Sequence, residues 1–357
     1  MLELPENRYP SGVVGEIDAA LAAARAGDQH QFSALTEPYR RELQVHCYRI
    51  LGSLQDAEDL VQETLLRAWR RLDTYEGRAS IRAWLYKIAT NACLDALDKR
   101  SRRVLPSMLG PATDASQPFT PPVDEPIWLE PLPDHLIVET ASDPEARYSL
   151  HESVTLAFVA ALQSLPPRQR AVLILRDVLD WRAGEVADLL DLTVSAVNSA
   201  LHRARVTLSR HYHGSAAENV TGSPADDHVR ALLDRYVSAW ESADVAGLTA
   251  LLKEDAVLNM PPSPSWYHGR DVIRAFLQST IFGSVAFPGS GAGRWRLTPT
   301  RANGQPGFGV YLRGPSGAYA AFGIIVVAID GDRVASITHF GAPTLLARFG
   351  FPDELAA

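Results

Sequence analysis

Cysteine is nearly absent: the 357-residue chain holds two, Cys47 and Cys93. Two thiols cannot build the disulfide framework of a small secreted scaffold, and neither sits in a cluster at metal-ligand spacing. Both fall in helical patterns, where a reduced cysteine packs as a small apolar residue. Also missing is any apolar run near the roughly 20 residues that span a membrane. The opening MLELPENRYPSGVVGEIDAA lacks the basic start and apolar core of a secretory signal. These absences exclude the disulfide-stapled secreted and transmembrane classes. The expectation is a cytoplasmic protein without membrane contact, metal or cofactor.

Positive charge is in deficit as well, with 34 Lys and Arg against 42 Asp and Glu and a net charge of −8. Tight, unspecific binding to nucleic acid by the chain alone is therefore disfavoured. Its distribution is uneven, however. Basic residues gather at 67–71, 99–103 and 168–210, whereas no Lys or Arg occurs between Arg103 and Arg147. Attraction to phosphate acts over about one Debye length, roughly 8–10 Å, so the local fields decide. The length suggests two or three domains, and 46% hydrophobic residues are ample for packed cores.

The most informative stretch is 164–205, SLPPRQRAVLILRDVLDWRAGEVADLLDLTVSAVNSALHRAR. Val186, Leu189 and Leu190, then Leu192, Val197 and Leu201, have the spacing of two amphipathic helices packed across a tight turn. This is a helix-turn-helix, whose second helix can enter a major groove. Thr193 is placed to cap that helix. Beyond it, Ser195, Asn198, Ser199, His202, Arg203 and Arg205 carry donors for phosphates and base edges. A helical hairpin with a solvated basic face is the competing reading.

The first module, 16–104, is helical throughout. In 56–69, Leu60, Val61, Thr64, Leu65, Ala68 and Trp69 share a core face, and Asp56, Glu58 and Asp59 suit the positive helix end. Asp59, Gln62, Glu63 and Leu66 line the other side, and the leucine in that row makes an interface plausible. A loop at 75–80 leads into a helix over 81–100, with Trp84, Ile88, Cys93 or Ala92, and Leu94 as its expected apolar side. Asn91 and Asp95 lie one turn apart, suited either to holding an unstacked base or to plain surface.

Residues 105–144 are rich in proline and acid, and read as a largely extended linker. Within it the island 127–134 is too apolar for a spacer, and Trp128, Leu129 and Pro131 are expected to dock on something. The helix-turn-helix module covers 145–213, and a second linker of small and polar residues follows. From 226 to 351 helices precede a meander of strands, with Asp330-Gly331-Asp332 as a hairpin turn. That order indicates an α+β domain with a curved sheet over helices.

These residues resemble the sigma-70 family of bacterial transcription initiation factors, specifically its extracytoplasmic-function group. The resemblance implies two all-α modules, sigma domains two and four, with no segment matching a third. It assigns 56–69, through Asp59, Gln62 and Glu63, to the clamp helices of core RNA polymerase, the partner being its beta and beta-prime subunits. It assigns Arg78, Ala79 and Ser80, with Asn91 and Asp95, to flipped bases of the promoter −10 element. The helix after Thr193 would read the −35 element. Asn198 and Ala200 stand where the family usually has a basic pair, which implies a weaker grip and a flatter salt dependence. Asn198 can still read adenine.

Residues 226–351 are similar to SnoaL-like domains of the nuclear-transport-factor-2-like superfamily, cone-shaped α+β folds with a pocket. Some members use an aspartate and a histidine as acid and base. Asp255 and His339, with Trp266, are the candidate pocket residues, although Asp255 serves equally as a turn cap. No catalysis is expected. Regulation through intramolecular contact with the sigma modules or the Trp128 island is the favoured role, and no separate anti-sigma factor is identified. The competing functions are a duplex-DNA regulator with a ligand-sensing tail and a small-molecule enzyme. The helix at 56–69 argues against the first, and the basic modules against the second.

Overall fold

The computed structural model describes residues 11–77, 79–99, 102–124, 128–137, 152–211, 227–283 and 291–356, without the side chains of 11–16 and 211. Arg78 and the second linker lie outside the described residues. The helices are α1 (Ser11–Arg25), α2 (Gln29–Thr36), α3 (Arg40–Leu51), α4 (Leu54–Arg70), α5 (Ile81–Leu97), α6 (Leu156–Gln163), α7 (Pro167–Leu173), α8 (Ala183–Leu190), α9 (Val194–His211), α10 (Asp227–Glu241), α11 (Val245–Ala250), α12 (Arg270–Phe276) and α13 (Leu345–Arg348). The strands are β1 (Leu252–Asn259), β2 (Trp266–His268), β3 (Trp295–Ala302), β4 (Gln305–Arg313), β5 (Tyr319–Asp330), β6 (Arg333–Phe340) and β7 (Glu354–Leu355). They divide between two compact units.

The helical unit contains α1–α5 and residues 165–207. Gly52 ends α3 at φ 72°, a backbone state that glycine adopts without strain, and Ser53 then caps α4 by accepting from the Asp56 N–H at 3.1 Å. The buried row of α4 is Val61, Thr64, Leu65 and Ala68. That of α5 is Leu85, Ala89, Ala92 and Cys93, while Trp84, Ile88 and Leu94 are only half-buried. The apolar face of α5 is thus turned by one residue from the expected one. Both cysteines are buried and free.

A charged cluster lies under α5. His46 is fully buried, its Nε2 2.9 Å from the Thr90 hydroxyl and its ring 4.8 Å from that of Tyr86. Loss of water pushes its pKa down to about 3, and the Arg49 and Arg82 cations push the same way. The Arg82 Nε donates to both carboxylate oxygens of Glu42 at 2.9 and 3.0 Å, and its guanidinium lies 4.9 Å from the Tyr86 ring centre.

The second unit holds residues 101–135, 139–164 and 208–357. Its sheet runs β2-β1-β6-β5-β4-β3, antiparallel except for the parallel β1–β6 pair, and β7 adds to one end of β5. Asp330 pairs with Arg333 across the expected hairpin turn, with Gly331 at φ 61°. Leu232, Tyr236 and Trp240 of α10 and Phe276 of α12 share a core with Trp295, Phe308, Ile325 and Ile337 of the sheet. The α+β expectation holds. Strand β2, three residues long, is an addition to it.

The first linker is not a free spacer. Residues 102–124 and 128–135 form a strap along this second unit. Its Ser107 N–H donates to Asn259 Oδ1 at 2.9 Å, the Thr113 N–H to the Trp266 carbonyl at 2.7 Å, and the Val123 N–H to the Pro262 carbonyl at 3.0 Å. Phe119 packs against the core, its ring 6.2 Å from that of Phe276.

Because His46 is held neutral, the unfolded chain binds one more proton below the ordinary pKa of 6.5. Stability from this residue is complete above that value and falls as pH drops towards the folded pKa. Between pH 7 and pH 5 the loss amounts to about 2 kcal/mol. Urea unfolding at the two pH values should show this loss, and His46→Gln should remove that share of the pH dependence.

Candidate functional site

On α4, Asp59 and Gln62 are exposed and Glu63 is half-buried, its carboxylate 2.7 Å from Arg67 Nε. Leu66 is 42% exposed in the same row, one of four large exposed apolar side chains among the described residues. Among the described residues of the unit, this apolar side chain in a row of acids and amides is left largely open. The row is continuous and faces away from the core formed with α3 and α5.

Arg67 also reaches Asp95 of α5 at 3.7 Å, an exposed pair of small energetic weight. Asn91 stands one turn before Asp95 and is half-buried. Trp84, Ile88, Asn91 and Asp95, at helical spacing, form the partly open flank of α5. Ser80 caps this helix, accepting from the Ala83 N–H at 3.2 Å, and the Ala79 carbonyl accepts from the Tyr75 hydroxyl at 2.6 Å. The Tyr75 ring lies 5.1 Å from Trp84. The loop before α5 is therefore organised around two aromatic rings, an aspect that the helical period alone assigned to the core.

In the helix-turn-helix, Asp191 ends α8 at φ 53°, and Thr193 caps α9 by accepting from the Ala196 N–H at 3.1 Å. Val197, Ala200, Leu201 and Ala204 of α9 are buried, at i, i+3, i+4 and i+7. Ser195, Asn198, Ser199, His202 and Arg203 are exposed on the opposite face and line one shallow hollow with Val194. Two sequence expectations change here. Ala200 is 7% exposed, so it is a core contact rather than a missing phosphate donor. Arg205 lies on the flank, where its Nε and Nη2 donate to the Asp177 carboxylate at 2.8 and 2.7 Å. Its guanidinium braces α9 against the turn before α8 and does not join the hollow.

Helix α5 is packed against α7, α8 and the turn after α8 within the helical unit. Lys87 of α5 donates to the Asp188 carbonyl at 2.9 Å and to the Asp191 carboxylate at 2.8 Å. Trp181 lies 5.2 Å from the Tyr86 ring, and buried Arg170 of α7 donates to the Ile50 carbonyl.

In the strand-rich unit, Trp128, Leu129 and Pro131 of the linker island are all buried. Trp128 donates its indole N–H to the Val123 carbonyl at 3.2 Å, and Arg103 holds its carbonyl at 2.8 Å and Glu130 at 3.2 Å. The next turn of the strap meets the β3–β4 hairpin. Asn303, fully buried, accepts from the Leu132 N–H at 2.8 Å and donates its side-chain amide to the Val154 carbonyl at 2.7 Å. Gln305 accepts from the Leu156 N–H at 3.2 Å, so the start of α6 is held by the same hairpin.

The candidate pocket residues do not converge. Asp255 is exposed on β1, and Trp266 gives its indole N–H to the Gly110 carbonyl of the strap at 3.1 Å. His339 stacks on Phe322 at 5.3 Å with its Nε2 buried and unpartnered, and burial pushes its pKa down to about 4. No acid–base pair forms between Asp255 and His339, which differ in burial and in strand position. Among the described residues no cluster of three metal-ligating side chains occurs, and no helix is long and apolar enough to cross a membrane.

Residues 35–103 match Sigma-70 region 2, residues 155–208 match Sigma-70, region 4, and residues 233–334 match a SnoaL-like domain. The ECF RNA polymerase sigma factor SigG of Mycobacterium tuberculosis is 45% identical over 335 residues, 94% of this chain and 86% of that protein. The ECF RNA polymerase sigma factor SigW of Bacillus subtilis is 26% identical over 194 residues, 54% of this chain and 95% of that protein. In fold, the chain is similar to the crystal structure of the extracytoplasmic function sigma factor SigJ of Mycobacterium tuberculosis. The TM-score is 0.56 at 22% identity, covering 89% of this chain and 98% of that one. The chain belongs to the extracytoplasmic-function RNA polymerase sigma factors, with a SnoaL-like domain following region 4.

Proposed function

We propose that this sigma factor joins core RNA polymerase through the exposed row Asp59, Gln62, Glu63 and Leu66 of α4. In the bound state the loop before α5, with Asn91 and Asp95, captures unpaired −10 bases. The α9 face of Ser195, Asn198, Ser199, His202 and Arg203 reads the −35 element. The observation that carries this reading is α9 itself: a capped helix with one face wholly consumed by core packing and the other free and rich in hydrogen-bond donors. Promoter opening needs no chemistry from the protein, since capture of unstacked bases offsets the loss of stacking. The separation of Asp255 from His339 supports a non-catalytic tail, and the place of action is the cytoplasm, where polymerase and promoter meet.

Promoter elements centred roughly 25 base pairs apart lie about 85 Å apart at 3.4 Å per pair. Helices α5 and α9, in one compact unit, cannot reach both. The Lys87–Asp191 and Tyr86–Trp181 contacts therefore belong to a resting form that opens on polymerase. The SnoaL-like domain restrains that opening through Asn303 and Gln305, which tie down both the linker and the start of region 4.

Replacing Asp59, Gln62 and Glu63 by alanine together with Leu66→Lys should weaken core binding at least about tenfold. The thermal transition should stay within a few degrees, as most of these side chains are exposed. Co-purification with core at wild-type yield would refute the assignment of this row. For the tail, Asn303→Gly keeps the positive φ of 57° while deleting two buried hydrogen bonds. The strap's release constant should rise by up to about thirtyfold. Initiation in vitro by core polymerase with this variant should then exceed that with the wild type, and equal initiation would sink the restraint.

A further inference from the structure

The exposed face of α9 is polar with two apolar exceptions, Val206 in its second half and Val194 at its start. Val194, the first residue of the helix, is 46% exposed. A hydrophobic staple is already available from its neighbours, Leu192 before the Thr193 cap and fully buried Val197 within the first turns. A β-branched residue is also a poor helix former where packing does not demand it. Val194 lines the same hollow as Ser195, Asn198, Ser199, His202 and Arg203. It is thus a small apolar spot set among donors.

We propose that Val194 is a specificity-determining residue of −35 recognition, selecting a thymine through its C5-methyl group. This rests on the reading of α9 as the −35 helix. Residues at the N-terminal end of a recognition helix approach base edges most closely. In the major groove the thymine methyl is the one apolar mark among the base edges, and aliphatic side chains read it by contact. Val194, Asn198 and His202 are four residues apart, hence on one row. Asn198 stands about 6 Å further along the axis, close to two base-pair steps. Its amide can bond an adenine N6 and N7. The pair specifies a thymine, and an adenine within about two steps of it, on the segment read by the first turns of α9. Val206, also exposed, lies at the far end of the same row, twelve residues on and outside the hollow.

The test uses holoenzyme assembled from core polymerase and the full-length protein. The −35 element is first enriched from random DNA by promoter-specific initiation. Each thymine in it is then replaced by uracil, which removes only the methyl group. Wild-type holoenzyme should lose about fourfold in promoter affinity at one position, the worth of one buried methyl. Val194→Ala, on an exposed first helical position, should lose about fourfold on the thymine element and no longer distinguish uracil. Wild type indifferent to uracil at every position, or Val194→Ala that still discriminates, would overturn the proposal while leaving the sigma reading intact. Failure of the wild type to enrich any element would overturn both.

Discussion

At Asn303 the backbone turns at φ 57°, and the side chain is fully buried. Few residues other than glycine accept that backbone state, and asparagine is one of them. Here the side chain also substitutes for secondary structure. Its oxygen receives the Leu132 N–H and its amide nitrogen serves the Val154 carbonyl, while its backbone N–H goes to the Leu132 carbonyl at 2.8 Å. Asp134 adds a further bond from the Gly304 N–H at 2.8 Å and an ion pair with Arg301 at 3.0 Å. Without this hairpin tip, the end of the strap and the entry to α6 would each bury backbone groups without partners, at roughly 1–3 kcal/mol per group. Two segments on opposite sides of residues 138–151 thus share one anchor, and the first helix of region 4 belongs to the strand-rich unit.

The helix-turn-helix was readable because everything that defines it is local. The apolar period, the Thr193 cap and the αL turn at Asp191 all fall between Val186 and Leu201. The face of α5 was misread for an equally local reason. Trp84 and Ile88 form an apolar row beside Leu85 and Ala89, and either could be the core row by period alone. Packing against α3 and α4 selects the second and leaves Trp84 open beside Tyr75. Strand β2 is too short for alternation to register. The strap was invisible in principle, since Asn303 and Leu132 are 171 residues apart and an Asn-Gly pair signals only a turn. The island around Trp128 was legible as an apolar stretch, but the partners of its residues were not.

Electrostatics in the helical unit works at short range. Lys87, a basic residue on the flank of α5, is occupied by a carbonyl and a carboxylate of the helix-turn-helix turn. Arg205 is likewise consumed by Asp177. Both contacts are largely exposed, so each contributes little to stability. Their effect is to remove cations from the field that DNA would meet. With a net charge of −8 the free protein has little general attraction for phosphate.

The order of synthesis gives the 171-residue separation between Leu132 and Asn303 a temporal meaning. A ribosome adding roughly 5–20 residues per second needs about 10–30 s to travel from the strap to the residue that fastens it. Regions 2 and 4 are thus both synthesised before the anchor of the strap exists. Each newly made molecule passes once through an unfastened stage, whatever the state of the pool of finished protein.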